Sequence, residues 1–300
     1  MPGDTVLLNG ELIPAEAARL SAFDAGLTHG AGLFETFRAY HGVPFRLSAH
    51  RERLAASAQA LSLPAPPERD PLATEVSRLL EVNGLRDARM RLTFTPGSTR
   101  IATVSQSAGA LNPADDESFH PTLLLTAARM DALPGAAAGG GMIVCISSFR
   151  QQAGDPIAGH KTLSYLPRLL GQREAQRKRC GEALWFTPQN RLAEGSMSNV
   201  FLVRDGRLLT PPLDTPVLPG VTRAVVLELA RSAGVAVEER PLDINDLLGA
   251  NEVFLTNSVM ELMPVLAIER HAVGDEKPGN VTKSLHEAYQ AAVARECGAG

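Results

Sequence analysis

Cysteine is scarce in this 300-residue chain: Cys145, Cys180 and Cys297 are odd in number and far apart. That excludes a disulfide framework and a cysteine-based zinc site, and it fits a reducing compartment. Basic charge is not in excess either. The 29 Lys and Arg face 33 Asp and Glu, a formal net charge of −4, which argues against an electrostatic binder of nucleic acid or anionic membrane. No apolar run approaches the roughly 20 residues that cross a bilayer, and the opening MPGDTVLLNG does not read as an export signal. The seven histidines show no paired metal spacing, so no metal is expected. Gly30-Ala31-Gly32 and Gly139-Gly140-Gly141 lack the strand, G-x-G-x-x-G, helix order of a nicotinamide site. What remains is 44% hydrophobic and 21% charged, the composition of an ordinary globular protein of about two domains. A cytoplasmic location is expected.

The apolar periodicity supplies the elements. Asn9-Gly10 between two short apolar runs predicts a hairpin, because that pair tolerates positive φ. A strand is expected over 32–40. A helix over 50–61, capped by Ser48 or a near neighbour, ends at Pro64, Pro66 and Pro67. A second helix over 71–82 precedes strands at 89–95 and 122–128, with a polar loop over 105–118. The stretch 129–141, carrying Pro134, alanines and three consecutive glycines, reads as a linker. It divides an N-terminal domain, 1–128, from a larger one, 142–300. In the latter, strands are expected at 143–147, 184–186, 199–203, 208–210, 235–239 and 253–256, and helices at 165–179, 221–233 and 281–295. Strands and helices interleave without a βαβ repeat, which makes the fold α+β.

Only four lysines occur: Lys161, Lys178, Lys277 and Lys283. The last three lie in a charged run, a Glu-Lys-Pro-Gly loop and a helix start, all surface settings. Lys161 instead sits in Gly159-His160-Lys161-Thr162-Leu163, between a strand and a helix start. There it is either a loop lysine or a pocket amine made nucleophilic by desolvation. Glu194 opens Glu194-Gly195-Ser196-Met197-Ser198-Asn199, joining a polar turn to an apolar strand. It either caps that turn or stands as a fixed anion for a positively charged ligand nitrogen. Leu218-Pro219-Gly220-Val221-Thr222-Arg223 opens a helix whose first N–H groups and Thr222 hydroxyl suit an anion. Thr256-Asn257-Ser258 offers further hydroxyls and amides, and Arg53 a bidentate phosphate partner.

Together these segments resemble the class IV aminotransferases, the pyridoxal-phosphate family of branched-chain aminotransferases, D-amino-acid aminotransferases and aminodeoxychorismate lyases. The resemblance runs nearly end to end, and Glu194 through Asn199-Val200-Phe201, Thr210 and Gly220 to Arg223 fits the family pattern throughout. It implies a small N-terminal α/β domain and a larger C-terminal domain with pyridoxal 5'-phosphate at their junction, in a homodimer or larger assembly. Lys161 looks like the Schiff-base lysine, and Glu194 like the partner of the pyridine nitrogen. Arg53, Val221, Thr222 and Ser258 look like the phosphate cup. Tyr165 matches a cofactor tyrosine across a one-residue gap. For substrate, Arg91 falls where branched-chain members place an arginine near the carboxylate, and Arg100 roughly matches a carboxylate-binding loop of D-amino-acid enzymes. His29 and Phe34 stand where tyrosines occur in those two groups. The activity implied is amino transfer between an amino acid, of branched-chain or D-amino-acid type, and a 2-oxo acid. The alternative is elimination of pyruvate from 4-amino-4-deoxychorismate.

Overall fold

The computed structural model describes residues 4–67, 72–98, 120–130 and 140–298. The expected polar loop at 105–118, Arg100 and most of the expected linker lie outside these. The chain divides into two compact units, Met1–Met130 with His160–Ser164 and Glu296–Gly300, and Asp131–Gly159 with Tyr165–Arg295.

The first unit holds β1 (Thr5–Leu8), β2 (Glu11–Pro14), α1 (Ala25–His29), β3 (Leu33–Tyr40), β4 (Val43–Pro44), α2 (Leu47–Ala60), α3 (Leu72–Val82), β5 (Ala88–Thr95) and β6 (Thr122–Arg129). Among the described residues its six strands form one antiparallel sheet in the order β2-β1-β6-β5-β3-β4. Asn9 and Gly10 take φ of 52° and 93°, the left-handed pair that a tight hairpin between β1 and β2 requires. The β3–β5 register puts Leu33, Glu35 and Phe37 opposite Phe94, Leu92 and Met90 on one face. Phe34 and Thr36 then lie opposite Thr93 and Arg91 on the other. The first face packs with α2 and α3 into a core that includes Leu54, Val76, Leu79 and Leu80. At roughly 1.5–3 kcal/mol per fully buried large apolar side chain, this core dominates the unit's stability. Helix α2 begins one turn earlier than expected. Arg46, at φ 53°, turns the chain directly from β4 into the helix, and no side chain caps it. Ser48 therefore lies inside the helix.

The second unit contains β7 (Met142–Arg150), α4 (Leu166–Arg177), β8 (Glu182–Phe186), β9 (Leu192–Gly195), β10 (Asn199–Arg204), β11 (Arg207–Thr210), α5 (Val221–Ser232), β12 (Val237–Glu239), α6 (Ile244–Leu248), β13 (Glu252–Asn257), β14 (Glu261–Ile268), β15 (His271–Ala272) and α7 (Asn280–Cys297). Among the described residues nine strands form a mixed sheet, β12-β11-β10-β13-β14-β7-β8-β9, with β15 on β14. The pairs β7–β8, β7–β14 and β11–β12 are parallel and the others antiparallel. Mixed pairing with interspersed helices is the α+β architecture expected. Strand β10 is buried over its first five residues, and Phe201 stacks on Phe254 of β13 at 5.0 Å between centroids. Strand β9 corrects an expectation: Glu194 belongs to a wholly buried strand, not to a polar turn. A four-residue strand with a central carboxylate carries too little alternation to be recognised from sequence. Among the described residues no helix is long and apolar enough to cross a membrane.

Candidate active site

Two clusters gather the chemistry-bearing side chains, one in each unit. In the first, the segment 160–164 runs antiparallel to the start of β3. Phe34 N donates to Lys161 O at 2.9 Å, Leu163 N donates to Gly32 O at 2.9 Å, and Leu33 bridges Thr162. Gly32 is required for this approach, because a Cβ there would lie 2.7 Å from both Leu163 Cδ1 and Phe94 O. The Lys161 backbone is thereby fixed, and its Nζ stands 4.5 Å from the centroid of the Phe34 ring. The Arg91 guanidinium stacks on the same ring at 3.7 Å, with Arg91 Nε donating to Thr93 Oγ1 at 3.3 Å. Lys161, Phe34 and Arg91, three sequence-expected residues, are thus brought together.

Arg53 and His50 lie one turn apart on α2 and face Glu35 of β3. Arg53 Nε donates to Glu35 Oε1 at 2.8 Å and Arg53 Nη2 to Oε2 at 2.5 Å, while His50 Nδ1 shares Oε2 at 2.7 Å. Burial raises the Glu35 pKa, but the Arg53 charge and the hydrogen bonds from His50 and Arg53 outweigh it and bring it down to about 2. Burial moves the His50 pKa the other way, below the usual imidazole range, opposed by Glu35 and aided by the charges of Arg53 and Lys161. Arg53 is therefore a held residue, not the solvated arginine its isolated position in the sequence allows. Neither Glu35 nor His50 was among the candidates, and no local spacing marks a partner fifteen residues away on a neighbouring strand. His29 ends α1 exposed, with its Nδ1 2.7 Å from Thr28 Oγ1.

The second cluster surrounds Glu194. Its Oε2 accepts from Leu218 N at 2.9 Å, and its Oε1 accepts from Arg168 Nη2 at 2.5 Å. Arg168, on the first turn of α4, was missed, because one arginine among 25 carries no sequence signal. On the neighbouring strand β8, Glu182 is buried and accepts at Oε1 from Met197 N (2.6 Å) and Ser198 Oγ (2.8 Å). Burial pushes its pKa up to about 7 despite those donors. Val221 and Thr222 are the first residues of α5, both buried, and no side chain caps this helix. Gly220 before it passes against Asn199, whose Nδ2 donates to Leu218 O at 2.8 Å. Helix α5 packs on β13, and at the end of that strand the Thr256 hydroxyl is buried with no hydrogen-bond partner. Ser258 follows in the half-buried turn. Tyr165 is half-buried at the N-cap position of α4.

Residues 32–268 match the family described as amino-transferase class IV. A Methanocaldococcus jannaschii protein named "Putative branched-chain-amino-acid aminotransferase" is 33% identical over 285 residues, covering 95% of each chain. The aminodeoxychorismate lyase of Bacillus subtilis is 30% identical over 289 residues, covering 95% of this chain and 93% of its own. A solved branched-chain amino acid aminotransferase from Thermobaculum terrenum, in its PLP holo-form, superimposes with a TM-score of 0.84. It is 26% identical, and the match covers 98% of this chain and 95% of that one. The enzymes of this family use pyridoxal 5'-phosphate, and the side chains present suit that group. An uncapped helix start and an orphaned buried hydroxyl suit its phosphate, a buried carboxylate its ring nitrogen, and the half-buried Lys161 its aldehyde. With most of the sequence matched and the fold shared, the chain belongs to the pyridoxal-phosphate-dependent class IV aminotransferases.

Proposed function

We propose that this enzyme transfers an amino group between a branched-chain-type amino acid and a 2-oxo acid. The observation that carries the reading is the Phe34 ring, with the Lys161 amine on it at 4.5 Å and the Arg91 guanidinium at 3.7 Å. An amine and a cation suited to a substrate carboxylate then share one neighbourhood, and the branched-chain names of the relatives support the substrate class.

Bound pyridoxal 5'-phosphate supplies an electron-accepting ring that makes the substrate Cα–H acidic. Lys161 would hold the cofactor through its Nζ, and the same nitrogen would move the proton at the substrate Cα. Glu194 partners the ring nitrogen with a fixed negative charge. Arg53, Val221, Thr222 and Ser258 hold the phosphate, joined by Thr256, whose unpaired hydroxyl needs an acceptor. Glu35 and His50 keep the Arg53 fork in one orientation. Tyr165 contributes to the cofactor ring's surroundings. Arg91 orients the substrate carboxylate, and Arg100 and His29 are secondary candidates for substrate contact. The two-domain division 1–128 and 142–300 accompanies this assignment.

Exposed Leu20, Phe23 and Leu27 in and before α1 support self-association as a homodimer, and the scarcity of cysteine in the sequence supports a cytoplasmic setting. The test is a panel of L- and D-amino acids with 2-oxoglutarate and pyruvate, run beside aminodeoxychorismate. Fastest transfer from L-leucine, L-isoleucine or L-valine supports the reading. Pyruvate release from aminodeoxychorismate without amino transfer overturns it.

A further inference from the structure

The contacts of Arg168 go beyond a surface ion pair. Its Nη2 donates both to Glu194 Oε1 (2.5 Å) and to Gln151 Oε1 (2.8 Å), while Nη1 donates to Gly195 O at 3.3 Å. The face of the guanidinium lies over Trp185, 4.8 Å from the ring centroid, and Trp185 Nε1 is itself tied to Ser196 Oγ at 3.0 Å. The arginine is thus held on its edge by three acceptors and on its face by an indole, a geometry a lysine cannot copy. Glu194 meets one donor per oxygen, Arg168 on Oε1 and Leu218 N on Oε2, which fixes the plane of its carboxylate. Glu182 of β8 is a titratable neighbour that interacts electrostatically with both Glu194 and Arg168.

We propose that Arg168 is a positioning residue for Glu194 that also takes up part of its charge, so that the cofactor's ring nitrogen holds its proton less tightly than it would beside an unpaired carboxylate. This rests on the assignment of Glu194 to the ring nitrogen. A carboxylate shared between a guanidinium and a pyridinium stabilises each less than it would alone. A nearby positive charge also lowers the proton affinity of a titrating nitrogen directly. Both effects act in the same direction.

The experiment uses protein loaded with pyridoxal 5'-phosphate labelled with nitrogen-15 in the ring. The ring-nitrogen chemical shift is followed against pH in the wild type and in Arg168→Met, Arg168→Lys and Glu194→Gln. Arg168→Met is expected to raise the pH at which the ring nitrogen loses its proton by about one unit or more. Arg168→Lys, which keeps charge but not the fork, shifts it less in the same direction and carries the test if the methionine variant does not fold. Glu194→Gln lowers it. A merely structural arginine would lower the thermal midpoint and leave the titration where it was. An unmoved titration in the Arg168 variants, with Glu194→Gln still effective, overturns this proposal alone. An unmoved titration in Glu194→Gln overturns it together with the role given to Glu194.

Discussion

Lys161 Nζ sits 4.5 Å from the centroid of the Phe34 ring, held there because the backbones of the two residues are hydrogen-bonded to one another. The ring's negative face attracts the ammonium and fixes where the amine waits, a contact worth about 0.5–2 kcal/mol. Phe34→Leu removes that face while keeping an apolar side chain. Turnover is expected to fall about 3- to 10-fold with cofactor content unchanged, and Phe34→Tyr should retain most of it. Equal rates for the leucine variant and the wild type would mean that the ring does not place the amine.

The Glu35 carboxylate makes stability depend on acid. Its pKa falls from 4.5 to about 2 on folding, so the unfolded chain binds its proton more readily. The stabilisation is complete above pH 4.5 and is lost as the pH falls from there towards 2. Glu35→Gln should flatten that limb of a pH series of unfolding midpoints. At neutral pH it removes the buried carboxylate charge that faces Arg53, at a cost on the order of 3 kcal/mol. An acid limb identical to that of the wild type would contradict this account.

Glu182 runs the other way. Its pKa rises from 4.5 to about 7 by burial, so folding favours the protonated form. Stability is fully present below pH 4.5 and declines as the pH climbs through 7. Glu182→Gln keeps an oxygen for Met197 N and Ser198 Oγ without the charge, and should gain on the wild type as the pH rises. Thermal midpoints that stay parallel for both proteins from acid to alkaline pH would argue against a buried titrating group.

The start of α5 depends on Gly220, where a Cβ would collide with Asn199 Oδ1. Gly220→Ala must displace Asn199 or the helix start, costing about 1–3 kcal/mol and weakening retention of pyridoxal 5'-phosphate at least about tenfold. Equilibrium dialysis against the cofactor reads this directly, and wild-type retention would detach the phosphate from this helix.

Some of this was legible in the residues alone. Asn9-Gly10 encoded its hairpin through backbone conformation, β3 through its apolar run, and the start of α5 through Pro219-Gly220. Lys161 stood out because lysine is so rare here. What escaped was set by tertiary contact. The local setting of Glu194, expected beside a polar turn, is the buried strand β9. Arg168 and the Glu35–His50–Arg53 group join residues 26, 15 and 18 positions apart, separations at which helical or strand periodicity carries no information. The missed helix cap has the same origin, since the left-handed turn at Arg46 has no sequence mark.

The central claim is that Lys161 bears the cofactor, and four lysines make it simple to check. Protein loaded with pyridoxal 5'-phosphate is reduced with borohydride, digested and mapped by mass spectrometry. The account expects the pyridoxyl group on Lys161 and on no other lysine. A label on Lys178, Lys277 or Lys283, or none at all, would contradict it.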